Sequence, residues 1–219
     1  SQLLKDFPNS INLYNIIGAS NKGLGKLEEA IEACNKALSL KPDYAEAHNN
    51  MGIVLNNQGK FKEAIGAYSK VLSIKPDFAE AYNNMGNALK DQGKTDKAIE
   101  AYDKALSLKP DYAVAYNNMG TALLDQGKQD RAIEAYKKAL SFKPDYTAAH
   151  RNLSSIKQYN LEDEQFLQVK EQYRIGELSE DGRCNLNFAL AKMYEDIGDL
   201  NEAFNHLSKG NALRKKLLN

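Results

Sequence analysis

The chain has 219 residues, 42% apolar and 26% charged, and its 29 basic residues balance 29 acidic ones. That balance removes the whole-chain electrostatic pull of a nucleic-acid binder, leaving room only for a local patch. No run approaches the roughly 20 apolar residues that span a bilayer, and the two cysteines, Cys34 and Cys184, make neither a disulfide framework nor a metal-ligand spacing.

The first ten residues, SQLLKDFPNS, carry no initiating Met and no signal-peptide pattern. Leu3, Leu4 and Pro8 fall where the second helix of a preceding repeat would end, so residues 1–10 are expected to be the tail of a repeat that starts upstream. From there one block returns every 34 residues: KPDYAEAHNNMGIVLNNQGK at Lys41, KPDFAEAYNNMGNALKDQGK at Lys75 and KPDYAVAYNNMGTALLDQGK at Lys109. A fixed period of this length is the mark of stacked helical hairpins. All five prolines (Pro8, Pro42, Pro76, Pro110 and Pro144) keep the same spacing and mark helix ends, because proline lacks an amide donor and disfavours a helical residue before it. The predicted repeats are 11–44, 45–78, 79–112 and 113–146.

Each repeat has a glycine at its fifteenth position (Gly25, Gly59, Gly93, Gly127), where a helix C-terminus calls for left-handed dihedrals. The unit therefore splits into two helices. Asp43 with Glu46, and Asp77 with Glu80, have the spacing of a capping box, while Asp111 and Asp145 lack the acidic partner.

Further positions repeat with the same period. The fourth is aromatic or His (Tyr14, His48, Tyr82, Tyr116), the seventh Ile or Met (Ile17, Met51, Met85, Met119) and the eighth Gly (Gly18, Gly52, Gly86, Gly120). The twentieth is Ala (Ala30, Ala64, Ala98, Ala132) and the twenty-fourth Cys or Tyr (Cys34, Tyr68, Tyr102, Tyr136). With the proline at thirty-two, this resembles the tetratricopeptide repeat over about two-thirds of the chain. The resemblance implies an all-α fold, a right-handed α-solenoid of stacked helix-turn-helix hairpins. Asn21 departs from the pattern at position eleven, filled elsewhere by Leu55, Leu89 and Leu123, so the first repeat is expected to pack less tightly.

After Tyr146 the segment TAAHRNLSSIKQY matches the first half of a repeat, and then the period fails. DEQFLQVKEQYRI, with Phe166, Val169 and Tyr173 at helical spacing, is predicted to supply the second helix of a divergent fifth hairpin over 147–178. Ser179 reads as the N-cap of a helix through NLNFALAKMYEDIG, and Gly198 precedes a final helix, which makes a C-terminal hairpin over 179–219. Residues there, among them Phe188, Ala191, Tyr194, Asp196, Gly198, Ala203, His206, Gly210 and Arg214, are similar to the hairpin that closes the repeat region of bacterial TPR-sulfotransferase proteins.

Function should lie on the surface that packing leaves free. At 100° per residue, first-helix positions three, four, seven, eight, ten and eleven form an apolar face, and positions two, five, six, nine, twelve and thirteen lie opposite. In a tetratricopeptide superhelix that second arc lines the concave groove. Position six holds Asn50, Asn84, Asn118 and Asn152, and position five Asn49, Asn83 and Asn117 before Arg151. Asn is a mediocre helix former, so its recurrence asks for a reason. A carboxamide offers both donors and an acceptor, the groups that pair with a peptide backbone. Helices about 10 Å across separate successive rungs by roughly three extended residues, so four rungs track about nine to ten. Asn87, Asp91 and Asp125 share the arc and complete the expected peptide-binding set. The repeats also resemble those of protein O-GlcNAc transferases, which implies an asparagine ladder at Asn50, Asn84, Asn118 and Asn152; Ile16 breaks it in the first repeat. The plainer alternative is that these amides are polar filler or bond within their own helices.

Other motifs do not develop. The carboxylate clamp that holds chaperone C-termini wants Lys at position five, and only Arg151 fits. GASNKGLGKL has Ser20 where a phosphate loop needs its first Gly. His48, His150 and His206 have no carboxylate or Cys pattern around them, and Cys34 stands at a packing position. The sequence reads as a non-catalytic protein-interaction module, cytoplasmic and without a cofactor, that binds extended protein or peptide segments and neither nucleic acid nor membrane. Two alternatives stay open: the substrate-recognition arm of a larger glycosyl- or sulfotransferase, and a scaffold that self-associates through its solenoid ends.

Overall fold

The computed structural model describes residues 7–218; the segment 1–6, which holds Leu3 and Leu4, and Asn219 lie outside the described residues. Twelve helices are described, with no strand among the described residues. The chain divides into two compact units, Ser1–Pro110 and Asp111–Asn219.

The first unit holds α1 (Ile11–Gly23), α2 (Leu27–Leu40), α3 (Ala45–Asn57), α4 (Phe61–Ile74), α5 (Ala79–Asp91) and α6 (Thr95–Leu108). Helices pair as α1–α2, α3–α4 and α5–α6, and the first helices α1, α3 and α5 lie side by side. Within a hairpin the chain turns at a glycine with φ of +72° at Gly25, +73° at Gly59 and +79° at Gly93. The orphan carbonyls at that helix end are satisfied there: the Lys60 amide donates to Leu55 O at 2.9 Å and the Gly59 amide to Asn56 O at 2.9 Å.

Between hairpins the expected Asp caps do not form. The Tyr44 amide donates to Lys41 O at 3.2 Å and the Phe78 amide to Lys75 O at 3.3 Å, so Pro and Asp become the two central residues of a β-turn. That turn ends at the aromatic residue, which takes the N-cap place, and no side chain caps α3 or α5. Glu46 and Glu80 instead reach forward to the next connector, pairing with Lys75 at 2.5 Å and Lys109 at 3.4 Å.

The second and third hairpins each close on one large side chain laid against a glycine. The rings of Tyr68 and Tyr102 are buried, and a Cβ built on Gly52 or Gly86 would meet them at 2.5 Å. In the first hairpin the partner of Gly18 is Cys34, whose Sγ sits 3.1 Å from that Cβ position. Burial pushes the Cys34 thiol up to about 11, so it stays protonated and packs as a small apolar group. Asn21 remains half-buried where Leu55 and Leu89 are buried, the looser packing its polar amide dictates.

The second unit holds α7 (Ala113–Asp125), α8 (Gln129–Phe142), α9 (Thr147–Ser154), α10 (Glu164–Ile175), α11 (Glu180–Ile197) and α12 (Leu200–Leu218). The pair α7–α8 repeats the Tyr-on-Gly device with Tyr136 and Gly120. Helix α9 departs from expectation by stopping after 8 residues. The hydroxyls of Ser154 and Ser155 donate to Arg151 O and Asn152 O at 2.8 and 2.7 Å; Arg151 O keeps the Ser155 amide at 3.2 Å, while the Ser155 hydroxyl competes for Asn152 O, a carbonyl that the next turn would use. The chain then folds Tyr159 inward, and Asp163 starts α10 by accepting from the amides of Gln165 and Phe166. Tyr159, Phe166, Val169, Leu186, Leu190 and Met193 form the local core. Ser179 caps α11 as its sequence suggests, accepting from the Gly182 amide at 3.1 Å, and Gly198 ends it at φ +89°.

Two buried imidazoles make this unit acid-sensitive. His150 places Nε2 2.8 Å from Pro144 O, an acceptor only, so Nε2 carries the proton; Nδ1 faces the Gln165 amide at 3.4 Å. The Nδ1 of His206 donates to Asn187 Oδ1 at 2.9 Å, whose own Nδ2 is held by Arg183 O. Burial holds both groups below the ordinary His value of 6.5, with Lys209 adding to the effect at His206. The unfolded chain then binds protons that the folded chain refuses, so stability is full above 6.5 and falls as pH drops below it. The expected result is a urea midpoint lower at about pH 5 than at about pH 7.5, with a flatter slope in His206→Gln.

Candidate peptide-binding face

The position-six amides reach sideways before they reach outward. In the first unit Asn50 Nδ2 donates to Asn15 Oδ1 at 2.8 Å and Asn84 Nδ2 to Asn49 Oδ1 at 3.2 Å. In the second, Asn152 Nδ2 donates to Asn117 Oδ1 at 2.9 Å. Each bond joins residues 35 apart, position five of one first helix to position six of the next. Stacking puts position five at the seam between neighbouring first helices, where its oxygen receives the neighbour's N–H.

This revises part of the expected site. Asn83 and Asn117 are buried, at 3% and 6% exposure, which leaves them little surface for a ligand, and Asn49 is half-buried and accepts the Asn84 N–H. The amides of Asn50, Asn84, Asn118 and Asn152 remain partly exposed. Asn87 is also tied inward, accepting from the Tyr102 hydroxyl at 2.7 Å, as Thr121 does from Tyr136 at 3.2 Å. Asp91 and Asp125 are exposed at the edge of the arc; Asp91 takes an Asn56 N–H at 3.2 Å and lies 3.4 Å from the Lys90 ammonium. Arg151 is engaged within its unit, donating to Asn185 Oδ1 at 3.2 Å with its guanidinium 4.9 Å from the Phe188 ring centroid. It is therefore not the free cation that a carboxylate clamp uses.

Two residues of the row escape a reading of the sequence by motif. Asn15 is the position-five residue of the first repeat, obscured because Ile16 beside it breaks the amide pattern. Asn185 lies 34 residues from Arg151 instead of 35, in the region where the period has already failed. Lys22 adds a cation to the first unit's row, its Nζ 3.1 Å from Asn50 Oδ1. Among the described residues no cluster of three potential metal ligands occurs, and no helix is long and apolar enough to cross a membrane.

Helical hairpins closed by an aromatic ring on a glycine, linked by a row of amides across their first helices, define a helical-repeat interaction scaffold. The tetratricopeptide-repeat family matches at residues 23–59, 54–93 and 77–145, more than half of the chain, and the chain belongs to that family. Among solved structures it is similar to the MamA protein, at 25% identity over 94% of this chain and 92% of that one with a TM-score of 0.57. It is also similar to PilF of Pseudomonas aeruginosa, at 20% identity over 90% of this chain and 88% of that one with a TM-score of 0.70, a likeness of fold. No curated protein matches the sequence. These similarities establish the repeat, whereas the narrower likeness to O-GlcNAc transferases and sulfotransferase-linked repeats is carried by none of them. Tetratricopeptide repeats are protein-interaction modules, and that is the role this fold supports.

Proposed function

We propose that the chain binds extended segments of partner proteins, with the position-six amides Asn50, Asn84, Asn118 and Asn152 pairing with the peptide backbone. The observation that carries this reading is that Asn50, Asn84 and Asn152 each give one N–H to the neighbouring helix, which fixes the amide plane; the second N–H of each carboxamide is the group we assign to the peptide. An amide already ordered loses little further freedom when it binds, so each bond contributes more of its value. At a net 0.5–1.5 kcal/mol per bond, the two rungs of one unit give about 1–3 kcal/mol against an association cost of about 4–15. A single short peptide is therefore held at micromolar strength or weaker, and tight capture requires side-chain contacts or several segments.

The test uses gain as well as loss. Ile16 stands at position six of the first repeat and is 62% exposed, so Ile16→Asn adds a rung without disturbing a core. It is expected to tighten binding of a long extended peptide by about two- to tenfold, while Asn84→Ala weakens it by a similar factor. Isothermal titration on variants whose helicity is unchanged reads both. Equal affinity in Ile16→Asn, Asn84→Ala and the parent chain would overturn the proposal.

A further inference from the structure

The opposite face of the first helices carries a second feature. A groove of about 700 Å³ lies among α4, α5 and α6, floored by Ile65, Tyr82, Met85 and Leu89. Tyr82, Met85 and Leu89 occupy positions four, seven and eleven, on the side of α5 turned away from its position-six amide. Its rim is basic on balance, with Lys62, Lys94, Lys97 and Lys104 against Glu100 and Asp103. The second unit has a groove of the same pattern, about 510 Å³, over Tyr116, Met119 and Leu123, with Arg131, Lys137 and Lys138 against Glu134.

From this geometry we infer that these grooves are a second protein-docking site, independent of the amide row, and that their occupant is an acidic amphipathic helix of a partner protein. The floor residues Tyr82 to Leu89 span seven residues, about 10 Å along α5, which equals the reach of apolar side chains at i, i+3 or i+4, and i+7 on an incoming helix. The volume suits two or three such side chains, and Met85, unbranched and polarizable, adapts to their shape. The exposed lysine heads of the rim then meet Asp and Glu flanking the apolar stripe, so the rim sets the sign of the partner's charge.

The probe is a fluorescein-labelled helical peptide with Leu at i, i+3, i+4 and i+7 and Glu at its flanking positions, read by anisotropy against a charge-reversed peptide with Lys at those flanks. The acidic peptide is expected to bind the full chain at least about tenfold more tightly than the basic one, and to weaken as salt rises. The surface double variant Lys97→Glu with Lys104→Glu removes cations without touching the floor and is expected to weaken the acidic peptide by about tenfold or more, while Asn84→Ala leaves it unchanged. Equal binding of both peptides, indifference to the lysine reversals, or loss of binding in Asn84→Ala would each overturn the assignment.

Discussion

Replacing Gly86 by Ala is expected to destabilise the chain by about 1–3 kcal/mol, because the added methyl arrives 2.5 Å from the Tyr102 ring. The ring cannot move aside: it is fully buried, and its hydroxyl is bonded to Asn87 at 2.7 Å. Helix propensity alone argues the other way, since Ala is worth roughly 1 kcal/mol over Gly inside a helix. Gly66 isolates that opposing effect, for nothing lies within 4 Å of its Cβ position and it is exposed on α4. Gly66→Ala is therefore expected to stabilise by about 0.5–1 kcal/mol. Urea denaturation of the two variants should give midpoint shifts of opposite sign. A shared sign would show that the Tyr-on-Gly contact does not decide hairpin closure.

Phe166→Ala is expected to be the most damaging single truncation in the second unit, costing about 3–5 kcal/mol. Phe166 is 1% exposed, meets Tyr194 edge-to-face at 5.2 Å between centroids, and packs in the cluster with Val169, Leu186, Leu190 and Met193. The fifth hairpin has no tyrosine on a glycine, since Ser154 stands at position eight, and this ring with Val169 ties α10 to α11. Hydrogen exchange should show protection lost in α10 and α11, with α3 to α6 keeping theirs. A cost under about 1 kcal/mol would mean that α10 is only loosely held.

Much of the local structure was legible from residues that act within a few positions. A positive-φ glycine ends the first helix at Gly25, Gly59 and Gly93 because left-handed backbone asks for the residue without a Cβ, wherever the chain lies in space. Ser179 was readable for the same reason, as a side chain that bonds an amide three residues on. Asp43 and Asp77 were misread as caps because two local devices compete for the same four residues, and it is the turn bond to the Lys carbonyl that forms. The short α9 was missed because hydroxyl bonds from Ser154 and Ser155 to nearby carbonyls leave no mark in hydrophobic periodicity.

The amide row shows where sequence and tertiary structure part. The 34-residue period by itself determined the helical-repeat class, the hairpin packing positions and the recurrence of Asn at positions five and six, because each follows from one repeating local pattern. Which of the two amides packs as the acceptor at the seam between helices was decided only by the stack. Both lie on the polar arc of an isolated helix, and Asn117 is buried where Asn152 of the following helix α9 bonds to it. The bonds from Asn50 to Asn15, Asn84 to Asn49 and Asn152 to Asn117 join residues 35 apart, a relation between neighbouring helices that no single helix contains.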